Sequence, residues 1–383
     1  MEFLGSYIFY FTILILSVIC AYRIKQSEAE GEERFFRVLL FGVLWIPAVL
    51  RYNIGTDYPH YVLIYRFIDD VDNMEIGFEC LCRFLKWLGA DSFWLFFIMS
   101  TLTYFPFCFG TPRKVMVGCT FMFICAFYFQ SYSLVRQALA VSLLLYASFR
   151  LLEGRRLRFL VFVLLASSFH KSALLVLPFY FIRKQAEKPI VVVCLCGVAG
   201  VMMLGANIVE AIFNNPIIAS SSYGHYADSS FAQETEMGTG LGVLSRMLLP
   251  ALTLFVVRQL KVDESNDDEE EEEEANMETD EEEEDKYENT GFISLMCIAC
   301  IASMYLATRV HLFNRLGDLF RFVPIMCMGL VSANTRFPFK KIVMACFVCL
   351  YALLLLVDLI VCSKAIGFGL GVMPYKSIFD EWL

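Results

Sequence analysis

"RFLVFVLLASSFHKSALLVLPFYFIRK", residues 158–184, decides how this chain is threaded. It is apolar and aromatic except for His170 and Lys171 near its centre. Basic clusters bound it, with Arg155, Arg156 and Arg158 before it and Arg183, Lys184 and Lys188 after it. Lys and Arg in short loops gather on the cytoplasmic side of a membrane. Basic clusters at both ends therefore favour two short helices, 159–169 and 172–182, meeting at His170 and Lys171 on the outer side. A single long helix and a re-entrant hairpin are the alternatives. Were the pair wrong, every later loop would change sides.

The rest of the chain has the same character. It has 383 residues, 58% of them hydrophobic and 15% aromatic, and its mean hydropathy is +0.60. Soluble domains are only about 45–50% apolar, so a membrane protein is indicated. Long apolar runs without alternation mean helices that satisfy their own backbone, not a barrel. At about 20 residues per crossing there is room for about ten to twelve spans. The expected fold is a single all-α, polytopic helical membrane domain over 1–383. Apolar segments place helices near 3–22, 35–50, 92–110, 115–132, 134–151, 159–169, 172–182, 189–210, 241–257, 291–307, 323–335 and 342–362. Six basic loops, around residues 23–34, 113–114, 155–158, 183–188, 258–261 and 336–341, alternate without conflict if all are cytoplasmic.

The net charge of −9 is carried by one segment. "DESNDDEEEEEEANMETDEEEED", residues 263–285, holds 17 acidic residues and no Lys or Arg, and without it the balance is +8. Such a run repels itself and buries little, so it reads as a disordered, cytoplasmic loop. The cysteines lie mostly inside apolar runs as packing residues, and Cys80 and Cys82 are poorly spaced for a zinc pair. No metal site, cofactor or disulfide set is expected. The N-terminal apolar stretch lacks a basic leader and a small-residue cleavage motif, so it reads as a retained helix.

With this threading, the ionisable groups collect on the outer side: Arg51, Asp57, His60, Glu75, Arg136, His170, Lys171, His225, His311, Arg315, Asp318 and Arg321. Charges near membrane depth are costly and usually face a cavity, a partner or a pathway. In "RVHLFNRLGDLFRF", residues 309–322, His311, Arg315 and Asp318 share one helix face, flanked by Arg321. A guanidinium there can grip phosphate bidentately; an interfacial stretch with internal ion pairs is the bland alternative. "RYNIGTDYPHY", residues 51–61, is either a glycine turn with Asp57 capping a helix near Pro59, or part of a site. Tyr52, Tyr58 and Tyr61 fit an interfacial belt equally well. Arg136 opens a helix, where snorkelling to headgroups would also account for it. "MEIGFECLCRFLKWLG", residues 74–89, reads as an amphipathic surface helix with Glu75 at its start.

Taken in order, "RYNIGTDYPHY", "EIGFECLCRFL", "LVRQALAVSLLLYA", "FHKSALLVLPFY" and "MPY" (373–375) resemble the EpsG family of exopolysaccharide proteins. These look like repeat-unit polymerases of the Wzy type. The acidic insertion is not part of that pattern. The resemblance implies a bacterial inner-membrane enzyme that joins oligosaccharides carried on undecaprenyl pyrophosphate at the outer face. It implies membrane lipid, a flippase and a chain-length regulator as partners, no nucleic acid and no cofactor. The donor is preactivated, in keeping with the lack of an evident nucleotide fold. Glycosyl transfer needs a departing pyrophosphate stabilised, for which Arg51, Arg136 and Arg315 are candidates, with His311, Arg321, Glu75 and Tyr58 lining the substrate. A base near the acceptor hydroxyl is also needed; His170 leads and Asp57 follows. A lipid-linked oligosaccharide flippase and an O-antigen ligase-like transferase are the alternatives. A flippase should show matched internal repeats with polar groups at mid-depth, and no convincing repeat is present.

Overall fold

The computed structural model describes residues 2–71, 73–204, 241–268, 280–309, 312–333, 339–361 and 370–381. Among them the architecture is all-helical, with no β-strand. The chain forms two compact units: residues 1–174, 328–335 and 339–383 in the first, residues 175–327 and 336–338 in the second.

The first unit holds α1 (Glu2–Gln26), α2 (Glu30–Leu50), the short α3 (Tyr58–Arg66), α4 (Ile76–Trp87), α5 (Ser92–Gly110), α6 (Met116–Phe123), α7 (Val135–Leu152) and α8 (Arg156–Phe169). Asp91 caps α5 by accepting from the Phe93 amide at 3.1 Å. Helix α6 does not end cleanly. It widens into a π-helical turn at Ile124–Tyr128 and tightens to a 3₁₀ turn at Gln130–Tyr132, so the chain re-aims before α7 begins. Neighbours pack α1 on α2 and α6, α2 on α5, α5 on α7, and α7 on α8.

Short connections make successive long helices antiparallel, which separates two ends of this unit. One end is basic: Arg23 pairs with Glu32 at 2.6 Å, Arg113 Nε donates to the Lys25 carbonyl, and Arg150 donates to the Gly110 carbonyl. Buried Arg37 pairs with Glu33 at 2.7 Å and donates to the Cys108 and Thr111 carbonyls at the foot of α5. The other end carries Arg51, Glu75, Arg136 and His170.

The stretch that decides the threading breaks where two helices were expected to meet. α8 stops at Phe169, and His170 is extended at φ −153° and ψ 105°. A 3₁₀ turn (Lys171–Val176) then leads into α9 (Leu177–Ile182).

The second unit continues with α10 (Pro189–Leu204), α11 (Leu241–Asp268), α12 (Asp280–Arg309) and α13 (Leu312–Leu319). α14 (Phe322–Ala333) begins in the second unit and ends in the first, and α15 (Lys340–Val361) belongs to the first. Helical backbone runs into both ends of the acidic stretch, through Asp268 and from Asp280. Residues 269–279 lie outside the described residues.

Five described helices are long and apolar enough to cross a membrane: Glu2–Gln26, Ser92–Gly110, Val135–Leu152, the Thr290–Ala307 part of α12, and Lys340–Val361. Shorter apolar helices include Val243–Val257 and Phe322–Ala333. An all-α polytopic membrane protein is the architecture.

Candidate functional site

Residues 51–57 form a loop held from both sides. Asn53 and Gly55 have positive φ, 51° and 98°. A Cβ on Gly55 would strike the Tyr132 carbonyl, so glycine is required there by backbone conformation and by space. The Thr56 amide donates to Ser133 Oγ at 3.0 Å, and that hydroxyl donates to the Leu370 carbonyl. Residues 370–377 close the other side: Gly55 N donates to Gly371 O, Tyr52 N to Lys376 O, and Arg51 bridges to Ser377. The same segment is tied to α1 and α2. Tyr10 donates to the Val372 carbonyl, the Tyr375 amide donates to Ser6 Oγ at 2.9 Å, and Tyr375 Oη donates to Pro47 O at 3.0 Å.

Arg51 sits inside this frame, only 3% exposed. Nη1 donates to the Ala48 carbonyl and lies 3.4 Å from Ser100 Oγ, while Nε has no partner. The guanidinium lies 4.9 Å from the Tyr132 ring, 5.0 Å from Phe96 and 6.0 Å from Tyr58, whose ring stacks on Phe96 at 4.2 Å. No carboxylate among the described residues pairs with it. Three ring faces and the carbonyl end of α2 compensate its charge instead. Asp57 precedes α3 and is half-buried, but its side chain makes no capping hydrogen bond. His60 is exposed.

Glu75, Arg136 and His170 meet in a second cluster. Glu75 stands at the start of α4, Arg136 in the first turn of α7, and His170 just past α8. Gly77 makes the approach possible, since a Cβ there would lie 2.6 Å from Ser168 Oγ and 2.9 Å from its carbonyl oxygen. Glu75 Oε2 forms an ion pair with Arg136 Nη1, and Oε1 lies 3.6 Å from His170 Nδ1. That second separation is long for a hydrogen bond, and His170 Nδ1 has no other partner. Arg136 also reaches Met74 Sδ at 2.9 Å and lies near the rings of Phe78 (5.4 Å) and Tyr61 (5.8 Å). All three side chains keep a window to the exterior: 12% exposure for Glu75, 16% for His170 and 19% for Arg136.

Burial raises the Glu75 pKa, but the His170 ring and the Arg136 charge outweigh it and bring it down to about 2 from 4.5. A carboxyl depressed on folding stabilises the folded state above its unfolded pKa and loses that contribution as pH falls through its folded one. Thermal unfolding followed against pH should therefore show wild type losing stability between about 4.5 and about 2. The variant Glu75→Gln should lack that segment of the profile, and parallel profiles would contradict the pairing.

In the second unit, Arg321 Nε pairs with Asp318 Oδ1 at 2.7 Å, which is the internal ion pair of an amphipathic stretch. Arg315 is exposed on α13, and His311 lies outside the described residues. Sequence reasoning missed Phe96, Ser100 and Tyr132 around Arg51, and Met74 and Phe78 around Arg136.

The family model described as the EpsG family matches residues 34–377, which spans all five motifs named above. The chain belongs to the EpsG family. No curated protein and no solved structure matches it. Membership makes this an exopolysaccharide-related membrane protein. The EpsG motifs, scattered over more than three hundred residues, gather at one end of the first unit. "RYNIGTDYPHY" bonds to the residues flanking "MPY" and to the start of "LVRQALA", while Glu75 of "EIGFECLCRFL" meets His170 of "FHKSALLVLPFY".

Proposed function

We propose that the chain polymerises oligosaccharide units carried on undecaprenyl pyrophosphate at the extracytoplasmic face of the bacterial inner membrane. The observation that carries this reading is the Glu75–Arg136–His170 cluster, half-open and at the end of its unit opposite the basic loops. A preactivated donor needs no nucleotide site. It needs cationic stabilisation of the leaving group and a proton acceptor, and the cluster offers both.

In the proposed step, the acceptor sugar hydroxyl attacks the anomeric carbon of the donor chain. The bond to the lipid pyrophosphate breaks, and the hydroxyl proton passes to His170 Nε2. Glu75 stabilises the imidazolium from the Nδ1 side, a contact that a bound substrate tightens from 3.6 Å. Arg136, partly exposed and paired with Glu75, supplies positive charge to the departing pyrophosphate. Arg51 is enclosed, so it acts by holding loop 51–57 and by its field. Asp57, Tyr58 and Tyr61 flank the acceptor, and Arg315, Arg321 and His311 are proposed for the donor's pyrophosphate on sequence grounds alone.

The test is deletion of the gene, followed by sizing of lipid-linked saccharides and surface polymer. Single repeat units accumulating on the outer leaflet, with polymer lost, support polymerisation. Units trapped on the inner leaflet mean a flippase, and intact free polymer lacking only its attachment means a ligase.

A further inference from the structure

A cleft of about 430 Å³ opens at the same end of the first unit, between the first turns of α1 and the segment following "MPY". Glu2, Gly5, Ser6, Phe9, Tyr375, Lys376 and Asp380 line it, and its size falls within the range of small-ligand sites. Ser6, Tyr375 and Lys376 also brace the Arg51 loop, whereas the side chains of Glu2, Phe9 and Asp380 take no part in either cluster above.

The walls are specific in kind. Phe9 and Tyr375 present adjoining rings, centroids 4.6 Å apart and inclined at 44°. Tyr375 is fixed at both ends, by its amide on Ser6 Oγ and its hydroxyl on the Pro47 carbonyl. Asp380 is fixed too, accepting from the Ser377 amide at 2.6 Å and the Ser377 hydroxyl at 2.8 Å. Glu2 is exposed and makes no ion pair among the described residues. Gly5 lies between them, and a Cβ built on it meets nothing within 4 Å.

We propose that this cleft is a carbohydrate-binding subsite, taking an uncharged sugar residue of the saccharide on which the protein acts. A pyranose offers an apolar C–H face that suits an aromatic platform, and hydroxyl donors that suit carboxylates. The two carboxylates, Glu2 and Asp380, outnumber the single Lys376, which disfavours a phosphate or a uronic acid. The cleft also adjoins the Arg51 loop, because Lys376 and Ser377 pair with Tyr52 and Arg51 through the backbone. A saccharide lying there reaches toward the frame of the candidate site. The role as a subsite of a polymerase rests on the proposed function, whereas the binding itself does not.

The test uses the full chain in lipid nanodiscs and short oligosaccharides released by mild acid from the producing cells' own polysaccharide. Binding is read by saturation-transfer NMR. Gly5→Leu fills the open space without a backbone penalty and should weaken binding about tenfold or more, with an unchanged melting temperature. Glu2→Gln, at an exposed site that the fold does not use, should weaken it about threefold. Wild-type affinity in Gly5→Leu, or preference for uronate oligosaccharides over neutral ones, would overturn the subsite. Normal polymer in cells deleted for the gene would remove the polymerase reading and leave the binding result standing on its own.

Discussion

Polymer output is expected to fall by about 10²–10⁴-fold when His170 is replaced by alanine, with the protein still present in the membrane at its normal level. The imidazole holds Glu75 only across a long 3.6 Å contact, and Arg136 still pairs with that carboxylate once the ring is gone. Its removal therefore deletes chemistry more than packing. Glu75→Gln separates two roles of the carboxylate. The amide keeps the shape but cannot balance Arg136 or an imidazolium, so a smaller loss of polymer is expected, shifted toward lower activity at a given pH. Single repeat units on lipid should accumulate in both variants. Wild-type polymer from His170→Ala at equal protein level would end the assignment of the base.

The second large effect is on folding. Gly55→Ala should cost about 3 kcal/mol or more, enough to deplete the protein from the membrane. Two penalties act together: an alanine strained at φ 98°, and a methyl group driven into the Tyr132 carbonyl. Gly89 separates them. Its φ is 72°, but a Cβ there meets nothing within 4 Å, so Gly89→Ala should cost only about 1 kcal/mol. Melting temperatures of the two variants in detergent decide the matter, and equal losses would mean that the contact with Tyr132 is not rigid.

The helices were legible because the bilayer imposes long apolar runs. Ser92–Gly110 keeps the bounds expected from sequence, with Asp91 as its cap. The break at His170 was legible from two polar residues in an apolar stretch flanked by basic clusters. The amphipathic α4, with Glu75 at its start, was legible from its period. The partnership of Glu75 with Arg136 was not, because 61 residues separate them and any carboxylate at that end would have served as well in sequence. Nor was the enclosure of Arg51. Aromatic residues abound in this chain, and nothing local distinguishes Tyr132 or Phe96 as a ring beside a guanidinium rather than a lipid-facing side chain. The acidic run was legible only as charge, and helical backbone enters it from both sides.

The tie between Ser6 and Tyr375 joins residues 369 apart in the chain. The Arg51 loop likewise finds its backbone partners at Gly371 and Lys376. A nascent chain that has already inserted α1 and α2 thus carries that loop unfinished through the synthesis of nearly everything else, and closes it only when residues 370–377 leave the ribosome. Closure over such a span is slow. The order of manufacture therefore keeps the loop frame incomplete in any chain abandoned part-way, whatever the earlier helices have achieved.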